Sequence, residues 1–255
     1  MPNQQANDRA DACVIIPMYN ECENAAAIID AVMALATPFD ILVIDDNSPD
    51  GTAAIVKAKM KEYPGRVELI ERAGKLGLGT AYITGFKHCV AKGYDFICEM
   101  DADFSHNPAD LERLRATAVN DNADVVVGSR YVTGVNVVNW PMGRILMSFY
   151  ASKYVQLITR LPVHDTTAGF VCYRRRVLEA LPLDSIKFKG YAFQIEMKFT
   201  AYKYGFKVVE VPIIFVNRVL GTSKMNSGIF GEAVFGVIRL KWNSFFTKYP
   251  DYSRR

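Results

Sequence analysis

The sequence lacks the cysteine spacings that define disulfide frameworks and zinc sites. Its five cysteines include no CxxC pair, and their number is odd. They are scattered along the chain, mostly within apolar runs, at Cys13, Cys22, Cys89, Cys98 and Cys172. Reduced, packed thiols fit this distribution better than cross-links do. We therefore predict a protein of a reducing compartment, in the cytoplasm or on the cytosolic side of a membrane.

Long apolar runs and strong net charge are missing as well. No window contains about 18 or more uncharged apolar residues, so we predict no transmembrane helix. The polar first residues do not resemble a signal peptide, and we expect residues 1–12 to form a flexible leader. The net charge of +3 is too small to indicate a nucleic-acid partner. Because 50% of the 255 residues are hydrophobic, the chain can build a full core in one large domain.

Two glycine-rich signatures of nucleotide-binding proteins are also absent. The first predicted strand-to-helix turn contains no GxGxxG, which argues against a dinucleotide-dependent oxidoreductase. The segment 72–81 is rich in glycine and basic, but its glycines and Lys75 do not follow the P-loop spacing. This segment is therefore either a flexible connection or a loop whose amide groups and Lys75 face phosphate oxygens.

The first half of the chain contains a regular alternation of apolar runs and amphipathic stretches. Apolar runs predict buried strands at 13–16, 40–44, 67–70, 94–99 and 123–127. Helical spacing of apolar residues predicts helices at 24–36, 51–63, 79–91 and 108–119. Such alternation indicates an α/β fold with a mostly parallel sheet flanked by helices on both faces.

Polar residues follow three of the predicted strands. Pro17, Tyr19 and Glu21 come after the first strand, Asp45 and Asp46 after the second, and another acidic stretch after the fourth. Each loop alone is explained by helix capping or turn chemistry. Their shared position at the carboxyl ends of parallel strands favours one pocket that holds a polar ligand and a cation.

The stretch after the fourth strand carries two carboxylates, Asp101 and Asp103, separated by one residue. At this spacing, carboxylates on an extended segment or a turn can point the same way and converge on one hard cation. The alternative is a solvated loop whose acids cap the helix predicted at 108–119. Spacing alone leaves both interpretations open.

The second half is less regular, more basic and more aromatic. A long apolar helix is predicted from 142 to about 161, with Arg144 near its start. Apolar helices are usually part of a core, but a buried arginine needs an anionic partner. The segment 217–224 places Arg218 and Lys224 on either side of a glycine. It is either a surface loop or a backbone fold around a phosphate.

The C-terminal residues 226–255 contain paired apolar residues every four positions from 228 to 246. The pairs form one broad stripe flanked by Arg239, Lys241 and Lys248. We predict an amphipathic interface helix and a basic tail at a membrane surface. Packing of the stripe on the domain, or on a small membrane-anchored partner subunit, is the alternative.

Several segments together resemble the inverting family 2 glycosyltransferases with a GT-A fold and, more closely, the polyprenol-phosphate (dolichol-phosphate) mannosyltransferases. The likeness extends from about Cys13 to Trp242. It is carried by Val14-Ile-Ile-Pro-Met-Tyr-Asn-Glu21, Val43-Ile-Asp-Asp-Asn-Ser-Pro-Asp-Gly-Thr52, the Lys75 loop, Asp101-Ala-Asp-Phe-Ser-His-Asn-Pro108, Val127-Gly-Ser-Arg-Tyr131 and Asn217-Arg218-Val-Leu-Gly221-Thr-Ser223-Lys224. The resemblance implies a Rossmann-like GT-A domain at 13–225.

The resemblance also implies a metal and a donor site. Asp101 and Asp103 would bind Mg²⁺ or Mn²⁺. Ser105 stands where some relatives have a glutamine ligand; a hydroxyl is a weaker, neutral ligand, and water can replace it. The residues that would hold the nucleotide sugar are Pro17, Tyr19, Glu21, Asp45, Asp46, Lys75 and Asp101.

A cationic wall for the acceptor phosphate is implied as well. Its members would be Arg130, Arg144, Arg218 and Lys224, of which Arg218 and Lys224 would act in catalysis together with the two metal-binding acids. The segment 165–170 would close over the sugar and acceptor, and Gln194 and Glu196 would lie near the sugar.

The implied activity is transfer of mannose from GDP-mannose to a polyprenyl (dolichyl) phosphate with inversion. We expect a peripheral enzyme on the cytosolic face of a membrane, the endoplasmic reticulum if eukaryotic or the plasma membrane if prokaryotic. One alternative is a polyprenyl-phosphate glucosyltransferase, or another family 2 transferase, that uses a UDP-sugar. A second alternative, of another class, is a non-catalytic peripheral membrane protein with the same fold. Nucleic-acid binding is not expected, since the basic residues lie among apolar stripes.

Overall fold

The computed structural model describes residues 10–188, 190, 192–218 and 228–253, with side chains between 228 and 234 excepted. Its strands are β1 (Ala12–Met18), β2 (Asp40–Asp45), β3 (Val67–Glu71), β4 (Phe96–Glu99), β5 (Val125–Ser129), β6 (Val137–Val138), β7 (Val171–Arg174), β8 (Val208–Pro212) and β9 (Phe215–Val216). Its helices are α1 (Ala25–Met33), α2 (Thr52–Glu62), α3 (Leu78–Lys92), α4 (Asp110–Asn120), α5 (Met142–Thr159), α6 (Arg175–Ala180), α7 (Ala192–Lys203) and α8 (Gly228–Phe246).

The central sheet has the strand order β3-β2-β1-β4-β7-β5-β8. Every neighbouring pair is parallel except those of β7, which runs antiparallel to both β4 and β5. The carboxyl ends of β1, β2, β4 and β5 therefore lie along the same edge. The predicted α/β fold with a mostly parallel sheet is confirmed. The short strands β6 and β9 form a separate parallel pair beside this edge.

The sheet is buried on both faces, which explains the unbroken apolar runs of β1, β2 and β4. Alternate residues of β1 enter different cores: Val14 packs with α1, α2 and α4, whereas Ile15 packs with α3 and α7. Successive side chains of a strand point to opposite faces, so both must be apolar when helices cover both faces. The observed helices agree with the prediction to within a few residues at each end.

Glycines permit close packing of α3 against α7 and against β1. A Cβ atom on Gly79 would lie 2.7 Å from the ring of Phe193 on α7, and one on Gly85 would lie 2.8 Å from Ile15. Both distances are shorter than a carbon–carbon contact allows, so α3 approaches α7 and β1 only because these positions have no side chain.

The ends of the chain differ in part from the predicted segments. Asp11 pairs with Arg115, and Ala12 already belongs to β1, so residues 10–12 are part of the folded sheet. At the other end, Tyr252 stacks on Phe206 and its amide donates to the Tyr204 carbonyl at 2.8 Å. The division into a leader, a domain and a C-terminal segment stays a prediction.

The five cysteines are unpaired, and four are buried, as predicted. Among the described residues, no helix has the length and apolarity needed to cross a bilayer. The helix predicted from 142 to about 161 is α5, and it packs against α8. The C-terminal helix is present, but the segment 219–227 that precedes it, including Lys224, lies outside the described residues.

Candidate active site

A cleft of about 820 Å³ opens at the carboxyl edge of the sheet. Its polar lining includes Asp101, Asp103, Ser105, Arg130, Arg144 and Arg218. The opposite side is apolar and comes from α5, α7 and α8, through Met147, Tyr150, Ala151, Tyr154, Val155, Ile195 and Val237. One cavity therefore joins two carboxylates, three arginines and a hydrocarbon surface. The sequence predicted the charged groups but not that they share this apolar cavity.

The two acids of the predicted metal site follow β4 directly. Asp103 is 7% exposed, and its Oδ1 accepts the Ser105 backbone N–H at 3.1 Å. Its Oδ2 lies 3.1 Å from Nη2 of Arg218. Desolvation in the cleft and the nearby charge of Asp103 raise the pKa of Asp101 to about 7. A cation would relieve this effect, because a nearby positive charge favours the ionised form of a carboxyl group.

His106 stabilises the acidic loop that contains Asp101 and Asp103. It stacks on Phe170, with ring centroids 4.7 Å apart, and its Nδ1 accepts the Asp101 backbone N–H at 3.3 Å. Burial lowers the pKa of His106 to about 4, so the ring is neutral at pH 7. A neutral imidazole can use Nδ1 as an acceptor, which fixes the position of the Asp101 backbone.

The acidic pair fits a divalent ion whose coordination is completed by the substrate and water. Among the described residues, no group of three or more His, Cys, Asp or Glu side chains is placed to hold a metal. Mg²⁺ is commonly bound by one or two carboxylates together with substrate phosphates and water, whereas structural sites use more protein ligands. Asp101 and Asp103 match the first pattern. Ser105 lines the same cleft, and its backbone supports Asp103.

The inner wall of the cleft consists of the buried residues Arg130 and Asp165 and the half-buried Thr167. Arg130 donates from Nε and Nη2 to the two carboxylate oxygens of Asp165, at 2.6 and 2.7 Å, and from Nη2 to Thr167 Oγ1 at 2.9 Å. Burial alone would raise the pKa of Asp165, but Arg130 outweighs this effect and lowers it. Arg130 was predicted as part of the phosphate wall; the structure places it in the cleft with its charge largely balanced by Asp165.

Aromatic rings separate the arginines of the cleft. The Arg144 guanidinium lies 3.9 Å from the ring centroid of Trp140, and the Arg130 guanidinium lies 5.6 Å from the ring centroid of the same Trp140. Arg144 also donates to Asn217 Oδ1 at 3.0 Å. Asn217 precedes Arg218, so this bond ties the start of α5 to the segment that carries Arg218. Trp140 is a site residue to which the sequence assigned no role.

The predicted nucleotide-binding acids follow β2 and are already hydrogen-bonded. Asp45 accepts the backbone N–H and the hydroxyl of Ser48, at 3.0 and 2.6 Å. Asp46 forms a bidentate pair with Arg72, at 2.6 and 2.8 Å. Arg72 also reaches Thr80 at 2.7 Å, so it closes the glycine-rich loop between β3 and α3. The sequence missed Arg72, because its partner is 26 residues away.

The loop after β1 meets the glycine-rich loop. Lys75 Nζ lies 5.2 Å from the ring centroid of Tyr19, which brings together two predicted nucleotide-binding residues. Glu21 donates its backbone N–H to Thr52 at 3.0 Å, which joins this loop to the start of α2. Pro17 is in β1, beside Ile44 of β2. These residues and Asp45 and Asp46 do not line the 820 Å³ cavity; they lie along the adjoining part of the sheet edge.

The structure distinguishes between two residues of α7 that were expected near the sugar. Gln194 lines the cleft and donates to Glu99 at 2.8 Å. Glu196 instead accepts the backbone N–H groups of Lys187 and Phe188, at 2.9 and 3.0 Å. Glu196 therefore supports the chain before α7, and it is absent from the cleft lining.

A Rossmann-like parallel sheet with an acidic pair after its fourth strand, next to a glycine-rich basic loop, is the architecture of a GT-A glycosyltransferase. A family model described as "Glycosyl transferase family 2" matches residues 13–181, well over half of the chain. The chain belongs to glycosyl transferase family 2.

Two curated relatives match most of the chain. It is 46% identical over 224 residues to the polyprenol monophosphomannose synthase of Mycolicibacterium smegmatis, covering 88% of this chain and 84% of the relative. It is 46% identical over 225 residues to the undecaprenyl-phosphate mannosyltransferase of Micrococcus luteus, covering 88% of this chain and 91% of the relative.

Solved structures share the fold at lower identity. Glucosyl-3-phosphoglycerate synthase from Mycobacterium tuberculosis, in complex with Mn²⁺, UDP and glucosyl-3-phosphoglycerate, aligns with a TM-score of 0.66 and 16% identity over 96% of this chain and 82% of that chain. A mannosyltransferase from Pyrobaculum calidifontis, in complex with GDP-Man and Mn²⁺, aligns with a TM-score of 0.59 and 18% identity over 96% of this chain and 67% of that chain. Both support the predicted GT-A fold.

Proposed function

We propose that the protein transfers mannose from GDP-mannose to a polyprenyl phosphate, such as undecaprenyl or dolichyl phosphate, with inversion to a β-linked polyprenyl phosphate mannose. The observation that carries this proposal is the single cleft that joins an acidic pair, three arginines and an apolar wall. A lipid phosphate needs cations for its head group and an apolar surface for its chain. The two relatives that share 46% identity are named for polyprenol and undecaprenyl phosphate mannosyl transfer.

The donor diphosphate would bind at the acidic pair. Asp101 and Asp103 would hold a divalent ion, Mg²⁺ or Mn²⁺, which neutralises the diphosphate and supports its departure as GDP. The neighbouring strand ends offer Asp45 and Asp46 for the nucleoside, and Tyr19 and Lys75 for the base or the phosphates. Within the described residues, the side chains of Asp45 and Asp46 are bonded to Ser48 and to Arg72, respectively. A carboxylate has about four lone-pair sites, so both can accept further hydrogen bonds.

The acceptor oxygen would attack the anomeric carbon of mannose from the side opposite GDP. The bond between this carbon and the GDP oxygen breaks, and its electron pair leaves with GDP. A phosphate monoester loses its second proton near pH 6, so the attacking oxygen is already anionic and needs no strong general base. Positioning and cationic charge are then what the protein supplies.

Arg218 is suited to move between two anions. Its side chain is 27% exposed, and its Nη2 lies 3.1 Å from Oδ2 of Asp103. A divalent ion held by the acidic pair would balance the charge of Asp103, and Arg218 would then be able to contact the acceptor phosphate. Arg144 and Lys224 are proposed as further phosphate contacts. Arg130 is proposed to shape the wall through Asp165 and to add positive potential.

A membrane surface is the proposed source of the acceptor. Apolar side chains with 45% or more exposure cover the outer faces of α5 and α8: Met142, Leu146, Met147, Tyr150, Leu157, Phe235, Ile238, Trp242, Phe245 and Phe246. Contiguous exposed apolar surface marks an interaction site, and aromatic rings suit the bilayer interface. The apolar side of the cleft belongs to the same two helices, so a lipid chain could pass from this surface to the arginines.

Transfer assays with labelled donors test this proposal. The protein is incubated with labelled GDP-mannose or UDP-glucose, Mg²⁺ or Mn²⁺, and a short polyprenyl phosphate, and the lipid-soluble label is counted. We expect a metal-dependent product from GDP-mannose. A product from UDP-glucose alone would contradict the mannose assignment and support the UDP-sugar alternative.

The non-catalytic alternative gives a different result. A peripheral membrane protein that keeps the fold without activity would yield no lipid-soluble label with either donor. An equilibrium titration of GDP-mannose in the presence and absence of Mn²⁺ separates the two cases, because only the enzyme requires a metal-dependent donor site.

A further inference from the structure

A series of buried, hydrogen-bonded polar groups lies behind the cleft and has no role in the transfer step described above. Lys198 of α7 is fully buried, and its Nζ donates to the Ala168 carbonyl at 2.6 Å and to Gln194 Oε1 at 3.3 Å. Gln194 Nε2 in turn donates to Glu99 Oε2 at 2.8 Å. Glu99 is the last residue of β4, two positions before Asp101. These hydrogen bonds therefore link the loop 165–169 to the strand that precedes the acidic pair.

Burial of a lysine destabilises a folded protein because the ammonium group loses its hydration, and this applies to Lys198. Burial lowers the pKa of its ammonium group to about 8, although Glu99 and Asp165 act in the opposite direction. A leucine or methionine would fill the same space without desolvating a charge. Lys198 therefore does something for the structure that an apolar side chain of similar length would not do.

The bonding pattern fixes the orientation of one amide group. An ammonium group can only donate, so the oxygen of the Gln194 carboxamide must face Lys198 and the nitrogen must face Glu99. The nitrogen carries two hydrogens, and in the described part of the structure it meets one acceptor, Glu99. Gln194 lines the cleft, and a Cβ atom on Gly169 would lie 3.8 Å from its Nε2. Gly169 and the Gln194 amide therefore lie side by side in the lining of the cavity.

We propose that Lys198 is a positioning residue that fixes the Gln194 carboxamide and the Ala168 carbonyl, and so aims a Gln194 N–H group into the cleft at the group being transferred. The catalytic contact is that of Gln194, and Lys198 affects the transfer rate through Gln194. Its separate bond to the Ala168 carbonyl anchors the loop 165–169. Ala168 lies between Thr167, which is bonded to Arg130, and Gly169, so the same ammonium group also anchors the inner wall. This role rests on the sugar-transfer reaction proposed above.

A double-mutant cycle tests the proposal. Lys198→Met keeps an unbranched side chain of similar length, and Gln194→Met removes the amide. A 1 Å misplacement of a positioned group can lower a rate by about 10²-fold, so we expect each single variant to lower kcat about 10- to 100-fold. The double variant should be no slower than the slower single variant, because Lys198 acts through Gln194. The Kd for GDP in the presence of Mn²⁺ should not change.

Several outcomes would contradict the proposal. Losses that multiply in the double variant would mean that Lys198 acts independently of Gln194. An unchanged kcat in Lys198→Met, or a loss of GDP affinity that matches the loss of kcat, would also overturn it. If Lys198→Met does not fold, Lys198→Gln replaces it in the cycle. Its amide keeps a donor for Ala168 but can present either end to Gln194, so kcat should still fall, and an unchanged kcat would contradict the proposal.

Amide hydrogen exchange separates this proposal from the proposed function, because it needs no substrate. Lys198→Met should increase exchange in residues 165–169 and leave exchange in residues 101–106 unchanged. Unchanged exchange in 165–169 would contradict the anchoring role, whatever the activity. A wild-type protein that makes no lipid-linked mannose would contradict the proposed function, while faster exchange in the variant would still support the anchoring of the loop.

Discussion

The inner wall of the cleft and its outer rim, defined by Asp101, Asp103 and Arg218, each contain one arginine–aspartate pair. In the inner wall, the side chains of Arg130 and Asp165 are 10% and 0% exposed, and two guanidinium nitrogens bond both carboxylate oxygens. At the rim, Nη2 of Arg218 lies 3.1 Å from Oδ2 of Asp103, and the Arg218 side chain is 27% exposed. The same two residue types therefore form one fixed pair and one pair that can exchange partners.

The difference teaches how the cleft can be both shaped and reactive. A buried, bidentate pair holds its geometry because separating it leaves uncompensated charge away from water. Contact through one guanidinium nitrogen of a partly exposed arginine costs less to break, since water can solvate the released guanidinium. The inner wall can thus keep the loop 165–169 in place while the rim accepts a metal ion and a phosphate. The predictions below test this division of roles.

The largest effect is expected at the rim acid. Asp103→Ala removes one of the two carboxylates that would hold the divalent ion, so metal-dependent transfer should fall by about 10³-fold or more, the equivalent of several kcal/mol of charge stabilisation. Lipid-soluble label from GDP-mannose is the readout. Near-normal turnover in this variant would show that the acidic pair does not hold the catalytic metal.

The inner wall should be sensitive in stability. Asp165→Asn leaves the buried Arg130 unpaired, so the free energy of unfolding should fall by about 3–5 kcal/mol. Because the folded pKa of Asp165 is lowered, its contribution is complete above the unfolded pKa of about 3.9 and is lost as pH falls through the folded value. Urea unfolding of wild type and variant at pH 7, and at decreasing pH toward 3, measures this.

An exposed pair provides the matched control for that substitution. Asp184, whose side chain is 85% exposed, pairs with Lys87, so Asp184→Asn should change the free energy of unfolding by less than about 1 kcal/mol. Equal losses of unfolding free energy in the two variants would show that the buried pair stabilises the fold no more than an exposed pair does.

Replacement of the rim arginine should affect substrate use more than folding. A charge-assisted hydrogen bond contributes about 1.5–3 kcal/mol, so Arg218→Gln should lower kcat/KM for the polyprenyl phosphate by about 10- to 100-fold. Donor affinity and the free energy of unfolding should change much less. Arg113→Gln replaces an exposed arginine that pairs with the buried Asp110, and it is the control that should keep wild-type kinetics. An equal loss of donor and acceptor use in Arg218→Gln would indicate a general defect instead.

The smallest expected effect concerns the apolar face outside the rim. The side chain of Trp242 is 64% exposed, so Trp242→Ser should leave stability unchanged and weaken binding to vesicles that contain anionic lipid by about 10-fold, as expected for one partly inserted ring. Tyr202→Ser, at an exposed position on α7, is the control. Unchanged vesicle binding in Trp242→Ser would favour a protein partner for this face.

The sequence was informative where the signal is local. Apolar periodicity placed β1, β2 and β4 correctly, because strands covered on both faces must be apolar throughout. Asp101 and Asp103 follow the predicted fourth strand, and they became candidate site residues because ligands bind at the carboxyl ends of parallel strands. Both inferences need only a few neighbouring residues.

The sequence was uninformative where the contact is distant. Nothing in the sequence near Arg130 shows that Asp165, 35 residues later, accepts hydrogen bonds from its Nε and Nη2. Arg72 was missed for the same reason. Lys198 on α7 reads as an ordinary surface lysine, since only the packing of the surrounding chain reveals that it is buried. Such pairings are set by tertiary structure, which periodicity does not encode.

The most direct test of the account is the rate of mannose transfer to a short polyprenyl phosphate at increasing acceptor concentration, measured with and without Mn²⁺ for wild type and Arg218→Gln. We expect a lipid-soluble product from wild type only when the metal is present, and a variant whose rate approaches the wild-type rate only at much higher acceptor concentration. Metal-independent transfer, or the absence of any lipid-soluble product from GDP-mannose, would contradict the account.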